Sequence, residues 1–231
     1  MREDPAMPHP RKTAYGILLI APALVLGLLS AAAAGELRIS VRDEKGEPVG
    51  EAVLSAIPAG APPKLQGPPP VAVVDQVDKE YVPRVKAIQV GTSVSFPNKD
   101  DIRHHVYSFS DAKKFELPLY KGTPSDPVLF DKPGVVIIGC NIHDWMLGYI
   151  YVFETPWFAV TDAQGGAVLA GLPAGDYEIA AHHPDAKKTA EETRRTVTIG
   201  QGSQELMTIQ IELKKSLRRS RSPRAGAKGY R

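Results

Sequence analysis

The stretch Gly139-Cys140-Asn141-Ile142-His143-Asp144-Trp145-Met146 brings a thiol, an imidazole and a thioether into one short loop after a β-branched run, Val135 to Ile138. A soft thiolate, a borderline imidazole and a weak thioether suit copper cycling between Cu(I) and Cu(II), provided a second imidazole arrives from elsewhere. His104 or His105 supplies it. Zinc is a poorer match, because a thioether is not among its usual ligands. Cys140 is the only cysteine of the chain. In an exported protein it is free, intermolecular or metal-bound, since it has no internal partner for a disulfide. Taken alone, a single cysteine reads as a small buried hydrophobe; the Cys-x-x-His-x-x-Met spacing and the upstream His-His-Val make it a candidate ligand.

These residues need strands to hold them, and the composition provides for strands. The chain has 231 residues, with 21 prolines and 20 glycines against 6 phenylalanines, which points to short strands, many turns and an all-β fold. Leu37, Ile39 and Val41 alternate with polar residues, and Asp43 to Gly46 turns them as a hairpin into a strand around Val53 to Ile57. Residues 58–70 are rich in Pro and Gly and read as a connector. Short β segments follow at 81–85, 88–91 and 94–98, then His104 and His105. Residues 113–127, with three prolines, read as a long irregular crossing. The strand ending at Cys140 is followed by a closing strand over 147–153. Beyond Pro156, alternation resumes at 177–179, 196–199 and 207–213, around an exposed loop at 185–195.

Arg11 and Lys12 precede an apolar run from Ile17 to Leu29, and Ala31 to Ala34 are the small residues a signal peptidase reads. Residues 1–34 are therefore expected to be a signal peptide, and the mature protein periplasmic. The competing reading is an uncleaved membrane anchor over residues 14–35. The last segment, 214–231, has eight basic and no acidic residues and reads as a disordered tail. The whole chain carries only +2, so the body between leader and tail is acidic. Leader or tail is positioned to touch a membrane surface; nucleic acid is not the expected partner of an exported chain.

The middle of the chain, residues 71–155, resembles the cupredoxins of the plastocyanin and azurin family. Cys140-x-x-His143-x-x-Met146 has the spacing of the amicyanin ligand loop, and Phe96-Pro-Asn98-Lys-Asp100-x-x-x-His104-His105-Val106 resembles the family's Asn…His-Asn-Val segment. The resemblance implies a Greek-key β-sandwich with one type 1 copper per chain, held by His104, Cys140, His143 and Met146, with His105 where the family has Asn. It also implies that Asn98 and the backbone near His105 orient the ligands, and that His143 lies toward redox partners. Neighbouring side chains of a strand face opposite ways, so only one of the two histidines reaches the metal. By hydrophobicity alone, the row His105-Tyr107-Phe109 reads as the inward one, against the family register. Ile142 stands where the family usually has Pro, and Val135 where it often has an aromatic residue.

Asp43-Glu-Lys-Gly46-Glu-Pro48 and Gly171-Leu172-Pro173-Ala-Gly175-Asp-Tyr177 resemble the two halves of the carboxypeptidase regulatory-like, or prealbumin-like, sandwich. That resemblance implies a second small β-sandwich from residues 36–60 plus 157–213, with the copper domain inserted between its halves or adjacent to it. Insertion is easy where entry and exit lie together at a surface. His182-His183 reads as polarity at a surface or domain interface, with a second metal site as the alternative. Asp100-Asp101 and Glu191-Glu192 read as solvated charge. No paired carboxylates, Ser-His-Asp set or phosphate loop point to catalysis, so the expectation is a copper electron carrier, not an enzyme. Its partner would be a c-type cytochrome or an oxidoreductase, drawn in by the acidic body. Two other functions fit the same residues: copper storage or delivery, and a structural binding module that copper stabilises.

Overall fold

The computed structural model describes residues 34–63, 70–124 and 126–214. The leader and the basic tail fall almost entirely outside the described residues. Among the described residues the regular structure is β throughout, apart from one short 3₁₀ turn at Glu191–Thr193.

In the first part of the chain lie β1 (Gly35–Arg42) and β2 (Val53–Pro58), and in the last part β13 (Phe158–Val160), β14 (Gly166–Leu172), β15 (Gly175–His182), β16 (Arg195–Ile199) and β17 (Gln204–Gln210). They form two sheets, ordered β14-β1-β17 and β13-β2-β15-β16. β1 buries Leu37, Ile39 and Val41, every second residue, against Leu54, Leu169, Ile179 and Ile209. That alternation follows from the strand's period of two. The expected hairpin between β1 and β2 does not form: the two strands belong to different sheets. The turn at 43–46 does fold the chain back, with Arg42 bridged to Pro48, but only briefly: Val49 and Ala52 are then buried in the same core and the chain crosses to the other layer before β2 begins.

Between β2 and β13 the chain forms β3 (Val71–Val73), β4 (Asp75–Val77), β5 (Glu80–Val82), β6 (Val85–Gln89), β7 (Thr92–Ser95), β8 (His104–Ser110), β9 (Lys113–Tyr120), β10 (Val128–Phe130), β11 (Gly134–Cys140) and β12 (His143–Phe153). A five-stranded sheet, β6-β12-β11-β8-β9, faces a three-stranded one, β10-β7-β3, and β4 pairs with β5. Phe96, Phe130, Ile138, Met146 and Ile150 fill the space between the sheets. Residues 113–120 are therefore a strand, not part of an irregular crossing. β9 is the sheet's edge, where Pro118 costs no ladder hydrogen bond that a neighbour needs.

A third, smaller cluster joins the two halves: Val53 packs with Val85 and Tyr151, flanked by Tyr149 and Phe153. Arg84 bonds Glu51 at 2.7 Å and lies over the Tyr149 ring. His182 sets its ring edge-on against Tyr151 and Phe153, at 5.5 and 5.3 Å between centroids. Burial pushes its imidazole down to about 4, with Glu191 opposing and Arg194 reinforcing the shift. The unfolded chain therefore takes up a proton near pH 6.5 that the folded protein refuses until about pH 4. Stability is unaffected by this group above pH 6.5 and falls across the interval below it, by roughly 3 kcal/mol in all. Urea unfolding of the copper-free protein at pH 7 and pH 4.5 should show most of that loss, and His182→Leu should flatten it.

Candidate metal centre

Three strand ends meet at one end of the five-stranded sheet. Cys140 is the last residue of β11 and His143 the first of β12, joined by the two-residue turn Asn141-Ile142. His104 is the first residue of β8, which lies beside β11. Cys140 and His143 face each other across the hairpin, with a register irregularity between Gly139 and Cys140. Gly139 leaves room for the Tyr107 ring, whose atoms would lie 3.1 Å from any Cβ there. Tyr81 donates its hydroxyl to the Gly139 carbonyl at 2.9 Å, which pins the strand just before the thiol.

Cys140 Sγ lies 3.8 Å from His104 Nδ1 and 3.7 Å from His143 Nδ1. The ligand atoms of the three residues all fall within 4.8 Å of one another. A first-row divalent ion bonds sulfur at about 2.3 Å and nitrogen at about 2.0 Å, so three ligands around it in a plane stand about 3.7 Å apart from sulfur to nitrogen. The spacing fits one ion between the three side chains, and the His2Cys donor set fits copper. Met146, three residues past His143, is buried in the same cluster as Cys140.

His104 is fully buried, as are Val106 and Ser108 along its row, whereas Phe109 is 78% exposed. The inward row is thus that of His104, opposite to the reading by hydrophobicity. His105 points to the other face of the sheet, with its ring against Tyr107 and Nε2 2.9 Å from Glu116 Oε1. His143 is half-buried. Burial, then the neighbouring His104 and Lys79, hold its imidazole below the ordinary value, with Asp100 opposing. At neutral pH it is therefore in the neutral form that a metal requires.

Asp100 is not solvated charge. Its Oδ2 lies 2.7 Å from His104 Nε2, the ring nitrogen turned away from Cys140, and its side chain is only 13% exposed. Its two oxygens also accept the Asp78 and Lys79 amides. Partial burial works against the charge, but the His104 bond and those two amides outweigh it and hold the carboxyl below its usual range. With Nε2 donating to this carboxylate, Nδ1 is left as the lone pair facing the thiol. Asn98 holds the loop in place: its amide nitrogen donates to the carbonyls of Ile102 and Tyr120, and its oxygen accepts the Asp100 amide. A partner of this kind usually contributes 10- to 100-fold to metal affinity. Asp100→Asn should accordingly weaken copper binding at least about tenfold in a competition titration. Asp101→Asn, one residue along, should not.

The site and sheets define a β-sandwich with a His2Cys centre at one end. The chain is similar over 42% of its length to the Cu-containing nitrite reductase (NirK) from Thermus scotoductus SA-01, at 29% identity and TM-score 0.35, spanning 25% of that chain. It is also similar over 36% to a novel purple cupredoxin from Nitrosopumilus maritimus (24% identity, TM-score 0.31, 98% of that chain). An oxidized amicyanin variant matches 42% of the chain (20% identity, TM-score 0.33, 98% of that chain). No protein-family model matches the chain, and no curated protein does.

Proposed function

We propose that the protein is an exported, periplasmic one-electron carrier in which His104, Cys140 and His143 would hold a single type 1 copper, with Met146 as a fourth ligand. The observation that carries this reading is the triangle of Sγ and two Nδ1 atoms at 3.7–3.8 Å, which matches a trigonal His2Cys site. Copper, when bound there, supplies a one-electron couple. The protein's part is to hold the ligands still. Cys140 and His104 are buried in the sandwich, and Tyr81 and Asp100 fix the groups beside them.

His143 is the ligand nearest the surface. Its ring lies tilted against that of Trp145, with centroids 5.2 Å apart; Trp145 is 37% exposed, and Ile142 beside it is 49% exposed. An apolar patch around the outermost ligand suits brief docking with a redox partner, a c-type cytochrome or an oxidoreductase. The acidic body favours a basic partner surface and an association rate that falls with salt.

Stopped-flow mixing of the copper-loaded protein with a reduced c-type cytochrome tests the reading. Electron transfer that slows as ionic strength rises is the expected result. A protein that binds copper without an intense visible band and exchanges no electrons would be a storage or delivery protein instead.

A further inference from the structure

A cleft of about 240 Å³ lies between the two halves of the molecule, at the end of β11 remote from Cys140. One wall comes from β2 and β15, with Ser55, Ile57 and His182; the other from β12, with Tyr151 and Phe153. Pro62 and Pro133 close its sides. Most of this lining is apolar, but Thr155, Glu154, Glu191 and Arg194 also contribute to it, and two further polar groups, Ser55 and His182, lack hydrogen-bond partners. Ser55 is fully buried, on the face of β2 opposite to Leu54 and Ala56, and its hydroxyl has no hydrogen-bond partner. Among the described residues His182 packs against the Tyr151 and Phe153 rings and makes no hydrogen bond through either ring nitrogen.

A buried hydroxyl left unpaired costs about 1–3 kcal/mol, so it is seldom kept without a partner. Two unpaired polar groups on one apolar cleft are what a ligand with an oxygen substituent would satisfy. We propose that this cleft binds a small neutral aromatic molecule bearing a hydroxyl group, of the phenol class. The aromatic body is indicated by the facing Tyr151 and Phe153 rings and the two prolines. The hydroxyl is indicated by Ser55 and His182, each able to donate and to accept. An anion is excluded because the one cation of the lining, Arg194, already bonds Glu178 at 2.9 Å and lies 3.8 Å from Glu191, while Glu154 adds a further carboxylate to the wall. Size follows from the volume, below the ~300–1,000 Å³ of drug-sized sites and so suited to a single ring.

The test is a titration of the full chain with phenol, toluene and benzoate, followed by NMR. Phenol should give saturable shifts at Ser55, Tyr151 and His182 and bind about tenfold more tightly than toluene, the ratio one neutral hydrogen bond supplies. Benzoate should not bind. Ser55→Ala removes an unpaired hydroxyl and keeps the fold, so it should erase the advantage of phenol over toluene. Val135→Trp, at the cleft's exposed rim, should abolish binding of both. Phenol shifts that do not saturate, equal affinity for phenol and toluene, or a phenol affinity unchanged in Ser55→Ala would each overturn the proposal.

Discussion

Cys140→Ser is expected to remove the intense visible band of the copper-loaded protein completely and to stop its electron exchange with a cytochrome. The thiol is the one soft donor in the triangle, 3.8 and 3.7 Å from the two imidazole nitrogens, and it is 4% exposed. A hydroxyl in its place is a hard, neutral donor at neutral pH and does not supply the sulfur-to-copper charge transfer that gives such sites their colour. The two histidines would remain, so copper would still bind, more weakly and with the wide hyperfine splitting of ordinary Cu(II). The fold should survive. Serine is slightly smaller than cysteine, and His104 and His143 lie close enough to accept or donate a hydrogen bond, so the cost stays near the ~1–3 kcal/mol of a partly satisfied buried hydroxyl. Absorption and paramagnetic resonance spectra, with urea unfolding alongside, separate these effects. A variant that keeps its colour would remove Cys140 from the ligand set.

The ligand loop was legible because it is local. Cys140, His143 and Met146 lie within one hairpin, so their spacing alone brings them to one end of a sheet. His104 was harder. Its row carries Val106 and Ser108, and the other carries Tyr107 and Phe109, so a count of apolar side chains picks the wrong face. The sheet's outer face keeps those aromatics because nothing among the described residues covers Phe109, and burial there is not what selects the side chain. The loop from Asn98 to His104 contained the pattern Asn-x-Asp-x-x-x-His, but a carboxylate four residues before a histidine has no fixed meaning outside a helix. Only the fold, with the Asp78 and Lys79 amides turned toward it, shows that Asp100 is held against His104. β9 is hidden in the sequence for a similar reason: three prolines in 113–127 read as a loop, and whether a proline is tolerated depends on the strand being at an edge, which is a property of the sheet and not of the segment. The exchange of β1 and β2 between sheets likewise depends on where Val49 and Ala52 are buried, not on the turn residues at 43–46.

Met146 carries the second large effect, and two substitutions divide it. The side chain is 1% exposed and packs in the core that holds Phe96, Phe130 and Ile150. Met146→Ala should therefore leave a cavity and lower stability by about 2–5 kcal/mol with or without copper. Met146→Leu nearly conserves volume and should cost less than about 1.5 kcal/mol. It also removes the thioether, so the two variants part at the metal. If Met146 is a ligand, Met146→Leu folds almost as the parent does, yet its copper spectrum changes and its reduction potential rises, because an apolar neighbour disfavours the more highly charged Cu(II). If Met146 is only part of the core, Met146→Leu leaves spectrum and potential where they were, and the copper of this protein has three ligands from the chain, not four. Cyclic voltammetry on both variants, read against their unfolding midpoints, decides between the two: a potential that moves in Met146→Leu while stability scarcely changes can only come from the sulfur.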